Sequence, residues 1–490
     1  MIPFCKPRYR AGILATVIAC GCSTVLGLDP IYRQGSDGGL SEDPCSISGG
    51  RLVGSACLGP QMEVASYWNH TCAKTQDGSV WCWGNNQWGQ IGNGEIGAPV
   101  FSPTKVLEIG PGTPLGAVKT IAVGYANTCA LLENGGRIAC WGNNSIGQVD
   151  YAAFLLHPFD SSAAIPNPTI IANLENATRI TVGWVYMCAE VDKQILCWGN
   201  NLFGGCGQDC STNVTVAAPT PIQFPPNFPL QAEHLKLVAA KWHTCLLVAD
   251  ARAPLWCWGF DGGDQLGMQL SDVDSGNTCS PPPGFASAVS DGSDLTTSSA
   301  IATGVFQPIP VLGVTNFGII ADVAVGCAHT CASTLDGKVL CWGNNNRGQL
   351  GIGTDLSTLG PCLVNQNCPV ATPTPVVDQG GVRLSGFGTL AAGSGGHVCA
   401  TQWAASKCWG GNDSGELGTG VPSFGDFSSA QTTIFPETTR QIAVGDNHTC
   451  VLDISAEPDI LCVGDGHEGQ TGRGPGDNSA TWELRPVKWQ

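Results

Sequence analysis

Charge is scarce in this chain. Only 12% of its 490 residues are Asp, Glu, Lys or Arg, where an ordinary soluble domain carries about 25%. Basic residues are the scarcer kind, 22 against 39 acidic, for a formal charge of −17. A field of that sign repels phosphate backbones and anionic membrane surfaces, which disfavours nucleic-acid binding. Strong helix formers are few, which argues against a helical bundle. Tyr and Arg number only 6 and 12 and are scattered, whereas a sialidase-type glycosidase needs clustered arginines and a Tyr nucleophile. The sequence contains no nucleophile elbow, no His-Glu-x-x-His and no phosphate loop. Gly92-Asn93-Gly94-Glu95-Ile96-Gly97 matches the dinucleotide fingerprint only literally, because no amphipathic helix follows it. What abounds is 66 Gly, 32 Pro, 25 Cys and 15 Trp within a 43% hydrophobic chain. Such a chain can bury a core, and its turn-rich composition points to an all-β protein.

One unit recurs along nearly the whole length. Its first Cys falls at Cys72, Cys129, Cys188, Cys245, Cys331, Cys399 and Cys450, spacings of 57, 59, 57, 86, 68 and 51 residues. These intervals are too long for solenoid repeats and suit a four-stranded sheet plus loops. Within a unit, Pro-led segments such as Pro103-Thr104-Lys105-Val106 predict a strand start or edge. An apolar strand such as Ile121-Ala122-Val123 follows, then a His-Thr-Cys strand turning through Asp77-Gly78 or Asp336-Gly337 into Cys-Trp-Gly. His-Thr-Cys, Asp-Gly, Cys-Trp-Gly-Asn and Gly-Gln-Leu-Gly together resemble the repeat of the regulator of chromosome condensation family, over roughly residues 62–490. That resemblance implies a single seven-bladed β-propeller of four-stranded blades. The first unit lacks a preceding Pro strand and Arg485-Pro486-Val487-Lys488-Trp489 stands alone at the C-terminus, so the expectation is a first blade closed by the C-terminal strand. Tyr186-Met187 in place of His-Thr and Val463 in place of Trp predict less regular packing in units three and seven.

Each first Cys and the next one straddle the hairpin turn, giving Cys72/Cys82, Cys129/Cys140, Cys188/Cys197, Cys245/Cys257, Cys331/Cys341, Cys399/Cys408 and Cys450/Cys462. Neighbouring strands bring such pairs within disulfide reach. The His and Cys two residues apart also invite a zinc reading, but structural zinc wants four ligands with paired close spacings; no metal and no cofactor is expected. Placement of the remaining cysteines suggests Cys45/Cys57, Cys206/Cys210, Cys362/Cys368 and, by elimination, Cys279/Cys327.

Lys6, Arg8 and Arg10 precede the uncharged run Ala11 to Ala19 and then Cys20-Gly21-Cys22. This resembles a bacterial lipoprotein export signal. The resemblance implies lipid on the Cys after the cut: Cys22, which leaves an even number of later cysteines, or Cys20. An uncleaved anchor is the alternative, because Ala11 to Leu28 carries no charge. The chain accordingly divides into a signal segment (1–22), a flexible tether and lead-in (23–61) and the propeller (62–490). The protein is expected outside the cytosol, lipid-anchored in the periplasm or at the cell surface, and monomeric, with membrane contact through the lipid alone.

His70, His243, His329, His397 and His448 occupy equivalent positions. Repetition around an axis keeps such residues apart, so they read as buried groups bonding backbone rather than as catalytic bases. Trp83, Trp141, Trp198, Trp258, Trp342 and Trp409 read as filling between blades. Specificity is expected in what differs between units, on loops held by a rigid scaffold. Candidate contacts are Trp88, Phe101, Phe203, Phe228 and Phe285, because aromatics are enriched at hot spots. The functional expectation is a non-catalytic binding propeller for a protein partner. A carbohydrate-binding, lectin-like surface is the alternative, and a sialidase-type enzyme the least supported.

Overall fold

The computed structural model describes residues 51–53, 56–58, 61–109, 115–156, 163–226, 228–229, 233–249, 254–268, 273–280, 304–353, 369–402, 404–423, 425–477 and 479–489. Cys20, Cys22, Cys45, Phe285 and the Cys362/Cys368 pair lie outside them, as do the signal segment and the tether up to residue 50. The described residues belong to one unit, Glu42–Gln490. It begins with a small hairpin, Arg51–Val53 against Ala56–Leu58, inside the segment expected to be a tether.

Seven antiparallel sheets follow one another along the chain. In blade one the strands are Glu63–Tyr67, His70–Lys74, Val80–Gly84 and Val100–Lys105, hydrogen-bonded in that order from the centre outward. The remaining blades span residues 118–170, 177–221, 234–310, 320–375, 389–432 and 439–486. Innermost strands of all seven line a central channel of about 270 Å³. The architecture is therefore a seven-bladed β-propeller.

The blade boundaries differ from the expected ones by one strand. The Pro-containing strand is the last of its own blade, not the first, and is outermost except in blade four, where Thr278–Cys279 pairs outside it: Val100–Lys105 pairs with Val80–Gly84, and Thr481–Pro486 pairs with Asp459–Gly464. The C-terminal strand thus completes blade seven, and blade one is whole without it. The reason is local. After Cys-Trp-Gly the chain makes a compact loop and returns beside the strand it has just left. Its Pro falls on an edge where the missing N–H costs no ladder bond, and a register shift between Cys82 and Gly84 accommodates the return.

Seven disulfides, Cys72–Cys82, Cys129–Cys140, Cys188–Cys197, Cys245–Cys257, Cys331–Cys341, Cys399–Cys408 and Cys450–Cys462, join directly opposed residues of the two middle strands, each with Cα atoms 4.1 Å apart. Two other expected pairings are corrected. Cys210 bonds Cys279 across 69 residues of sequence, tying a loop of blade three to the short strand Thr278–Cys279 at the edge of blade four. Neither Cys206/Cys210 nor Cys279/Cys327 forms. Cys206 takes the place that Ile91 and Leu350 hold in the equivalent Gly-Gln-Leu-Gly turns; its sulfur is fully buried and donates to the Asn200 carbonyl at 3.3 Å.

Candidate binding face

The residues that recur are used to join blades. Trp83, Trp141, Trp198, Trp258, Trp342 and Trp409 are at most 1% exposed. Each indole N–H donates to a carbonyl in the preceding blade, Trp141 to Gln90 at 2.8 Å and Trp342 to Gln265 at 3.0 Å. At the ring closure Trp83 donates to Gln470 at 2.9 Å. Where blade seven has Val463, the equivalent Glu416 carbonyl accepts from Thr449 at 2.7 Å.

The histidines act across the same seams. The Nε2 atoms of His70, His243, His397 and His448 lie 2.8–3.0 Å from Oγ1 of Thr128, Thr330, Thr449 and Thr71, each in the next blade. Those hydroxyls donate their single proton to Gln90, Gln265, Glu416 and Gln470 carbonyls. Nε2 must therefore be the ring donor. Their partners are side-chain hydroxyls, not the backbone expected from sequence. Complete burial holds the imidazoles neutral, pushing His70, His243 and His397 down to about 3 and His329 and His448 to about 4. The ring sits so close to the preceding turn that a Cβ on Gly326 or Gly445 would meet Cε1 of His329 or His448 at 2.0 Å, which explains the glycine three residues ahead. In unit three Tyr186 takes the place of the histidine, its hydroxyl reaching Thr244 Oγ1 at 3.0 Å and the His243 carbonyl at 2.8 Å. His329 faces Val398 instead of a Thr, and neither of its ring nitrogens has a hydrogen-bond partner.

What differs between blades converges on one face. The turn from the first to the second strand of each blade ends at the channel mouth and presents Trp68, Tyr125, Trp184, Lys241, Cys327, Ser394 and Asp446 in ring order. Edge-to-face contacts run Trp68–Tyr125 at 4.9 Å, Tyr125–Trp184 at 5.4 Å and Trp184–Trp242 at 4.4 Å. The Lys241 ammonium lies 5.2 and 5.6 Å from the centroids of Trp184 and Trp242. Asp446 closes the circle, donating its N–H to the Trp68 carbonyl at 2.8 Å; burial raises the pKa of its carboxyl. The loop after the third strand opens onto the same face, with Trp88, Ile146, Phe203, Gly263, Arg347, Ser414 and Glu468 at one shared position. These loops are fixed by a repeated device: a Gln side chain accepts the amide two residues before it, as Gln90 does from Trp88 and Gln349 from Arg347.

Of the aromatics proposed as contacts, Trp88 and Phe101 are partly exposed. Phe203 and Phe228 are corrected to packing residues. Phe203 is 3% exposed against Trp242 and Phe260, and Phe228 is 6% exposed between Phe224 and Trp256. Sequence reading missed Trp68, Tyr125, Trp184 and Trp242. Their signal was available: they stand one or two residues before the recurring His or its replacement, where the units disagree.

Comparison with known proteins agrees with this geometry. The model of the regulator of chromosome condensation (RCC1) repeat matches residues 63–90, 118–148 and 320–349 in one form and 77–131 and 336–378 in another. The chain is 25% identical over 317 residues to the ultraviolet-B receptor UVR8 of Arabidopsis thaliana, covering 60% of this chain and 68% of that protein. It is 28% identical over 313 residues to the human probable E3 ubiquitin-protein ligase HERC6, covering 62% of this chain but only 25% of that protein. Among solved structures, Prp20p of Saccharomyces cerevisiae superposes with a TM-score of 0.59 at 18% identity, covering 87% of each chain. Residues 63–148 and 320–378 are thus similar to the regulator of chromosome condensation repeat, and the ring of blades is similar in fold to Prp20p.

Proposed function

We propose that this protein is a non-catalytic binding propeller, tethered outside the cytosol by an N-terminal lipid, that engages a protein partner through the loop face around its channel mouth. One observation carries the reading: the side chains repeated from blade to blade are used up in seams, while those that vary share a single face. A scaffold that fixes its loops and diversifies them suits recognition better than chemistry. Relatives lend support, since the Prp20p study describes binding to Gsp1p and histones; neither partner is carried over. Ligase activity is not carried over either, because the chain spans a quarter of HERC6. The resemblance of the N-terminal residues to a lipoprotein export signal and the oxidised hairpins favour the extracytoplasmic placement.

Photo-crosslinking residues at Ser414 on the loop face and Leu335 on the opposite face of the full chain test this in the native envelope. A discrete protein adduct from Ser414 is expected; an adduct from Leu335 alone overturns the choice of face and leaves protein binding standing, and no adduct from either position overturns the reading. Cys22→Ser should release the folded protein from membranes, and continued tight association would reassign the lipid to Cys20 or point to an uncleaved anchor.

A further inference from the structure

We infer that the channel mouth receives an extended, basic protein segment, with its cationic side chains on a carboxylate arc and its backbone on an aromatic arc. This deepens the protein-binding reading and rests on it. The mouth is divided. Blades one to four contribute Trp68, Tyr125, Trp184 and Trp242, whereas blades six and seven contribute Asp413, Asp446, Asp465 and Glu468. The guanidinium on this side, Arg347, is already paired with Asp413 and Asp426, the latter at 2.9 Å. Lys241 is the other cation of this mouth, so once Asp413 and Asp426 are matched by Arg347, Asp446, Asp465 and Glu468 against one lysine leave an excess of carboxylate facing whatever docks, and a cation is its complement.

The aromatic arc makes a second, independent demand. Tyr67 Oη, Trp184 Nε1 and Trp242 Nε1 are buried donors with no hydrogen-bond partner. Tyr67 and Trp242 are each 5% exposed, and Tyr67 lines the channel directly below Trp68. A buried donor left unmade costs about 1–3 kcal/mol. Peptide carbonyls, spaced along an extended strand and flanked by side chains that point alternately to either side, are acceptors of the right kind once docking turns these buried donors toward the mouth. The same arc already tolerates a cation, because Lys241 stands over two of its indoles. Arginine, which stacks on aromatic faces and forks onto carboxylates, fits both halves.

The probe is a labelled nonapeptide alternating arginine with leucine, compared with the same peptide carrying glutamate for arginine, and binding is read by fluorescence anisotropy on the non-reduced full chain. The arginine peptide should bind, weakening as salt is raised. Asp446→Asn with Glu468→Gln keeps both side-chain shapes and should weaken binding about tenfold; Trp184→Leu should do the same through the other arc. Glu437→Lys, on the opposite face, should change nothing. Equal binding of the glutamate peptide, no binding of the arginine peptide, or indifference to the paired neutralisation overturns the inference. The two readings separate through the crosslinks. An adduct from Leu335 alone sinks this inference and leaves protein binding standing, and no adduct sinks both. An adduct from Ser414 supports the inference if the arginine peptide competes it away and opposes it if the peptide does not.

Discussion

Glu416→Gln should stabilise the protein at neutral and alkaline pH and leave it unchanged in acid. Glu416 occupies the position that Gln90, Gln148, Gln265, Gln349 and Gln470 hold in other blades, and like them its side chain accepts the amide two residues earlier, Ser414 N–H at 2.7 Å. Its other carboxyl oxygen is buried without a partner, and burial raises its pKa from 4.5 to about 7. A folded value above the unfolded one means that the unfolded chain releases the proton first. The stability associated with the neutral form is complete below pH 4.5 and is lost as pH rises through about 7. The interval of roughly 2.5 pH units corresponds to about 3 kcal/mol at pH 8. Glutamine keeps the acceptor and removes the ionisation. Denaturant unfolding of the two proteins with disulfides intact, repeated from pH 4 to pH 8, reads the difference directly. Curves that run parallel across that range would refute the buried-acid account of this seam.

Further outcomes follow from the same contacts. Because the five imidazoles have folded values of about 3 to 4 against 6.5 for the free group, the unfolded chain takes up protons first, and stability should fall as pH drops below 6.5. His70→Asn, which copies Asn127 of blade two, should lower that slope by about 1.4 kcal/mol per pH unit; an unchanged slope contradicts buried neutral histidine. Trp342→Phe removes the 3.0 Å bond to Gln265 but leaves that carbonyl its Thr330 donor at 2.8 Å, so the hydrogen-bond share of the loss should be about 1 kcal/mol, checked by unfolding midpoint. Non-reducing peptide mapping should recover Cys210 linked to Cys279. Burial raises the Cys206 thiol pKa, so iodoacetamide should label it only after denaturation; labelling of the native protein would place it on the surface.

Sequence was most readable where partners are close in the chain. The hairpin cysteines lie 9 to 12 residues apart, and a turn signal between them settles their pairing. Blade phase was not readable that way, because a Pro strand can edge the sheet behind it or the one ahead, and the compact loop after Cys-Trp-Gly decides. Cys210–Cys279 joins two different blades, a proximity that spacing does not encode. Nor did the repeated His-Thr dipeptide betray its partner: the histidine reaches the threonine of the next copy, 58 residues on for His70 and Thr128. Among the proposed contact residues, Phe203 and Phe228 looked exposed because loop aromatics often are; their burial comes from neighbours such as Trp242 and Trp256, which the folded blades supply.

Among the described residues each blade is drawn from one consecutive stretch of chain, and no strand is shared between the first blade and the last. Breaking the backbone between any two blades and joining the old termini would leave every sheet intact, so circularly permuted versions should retain the same ring. Whole blades are likewise the natural currency of duplication or loss in such a gene, since adding one disturbs only two seams. The circle is held at its meeting point by side chains such as Trp83 and Thr71 against Gln470, and that junction is the place where a growing or shrinking ring would have to be refitted.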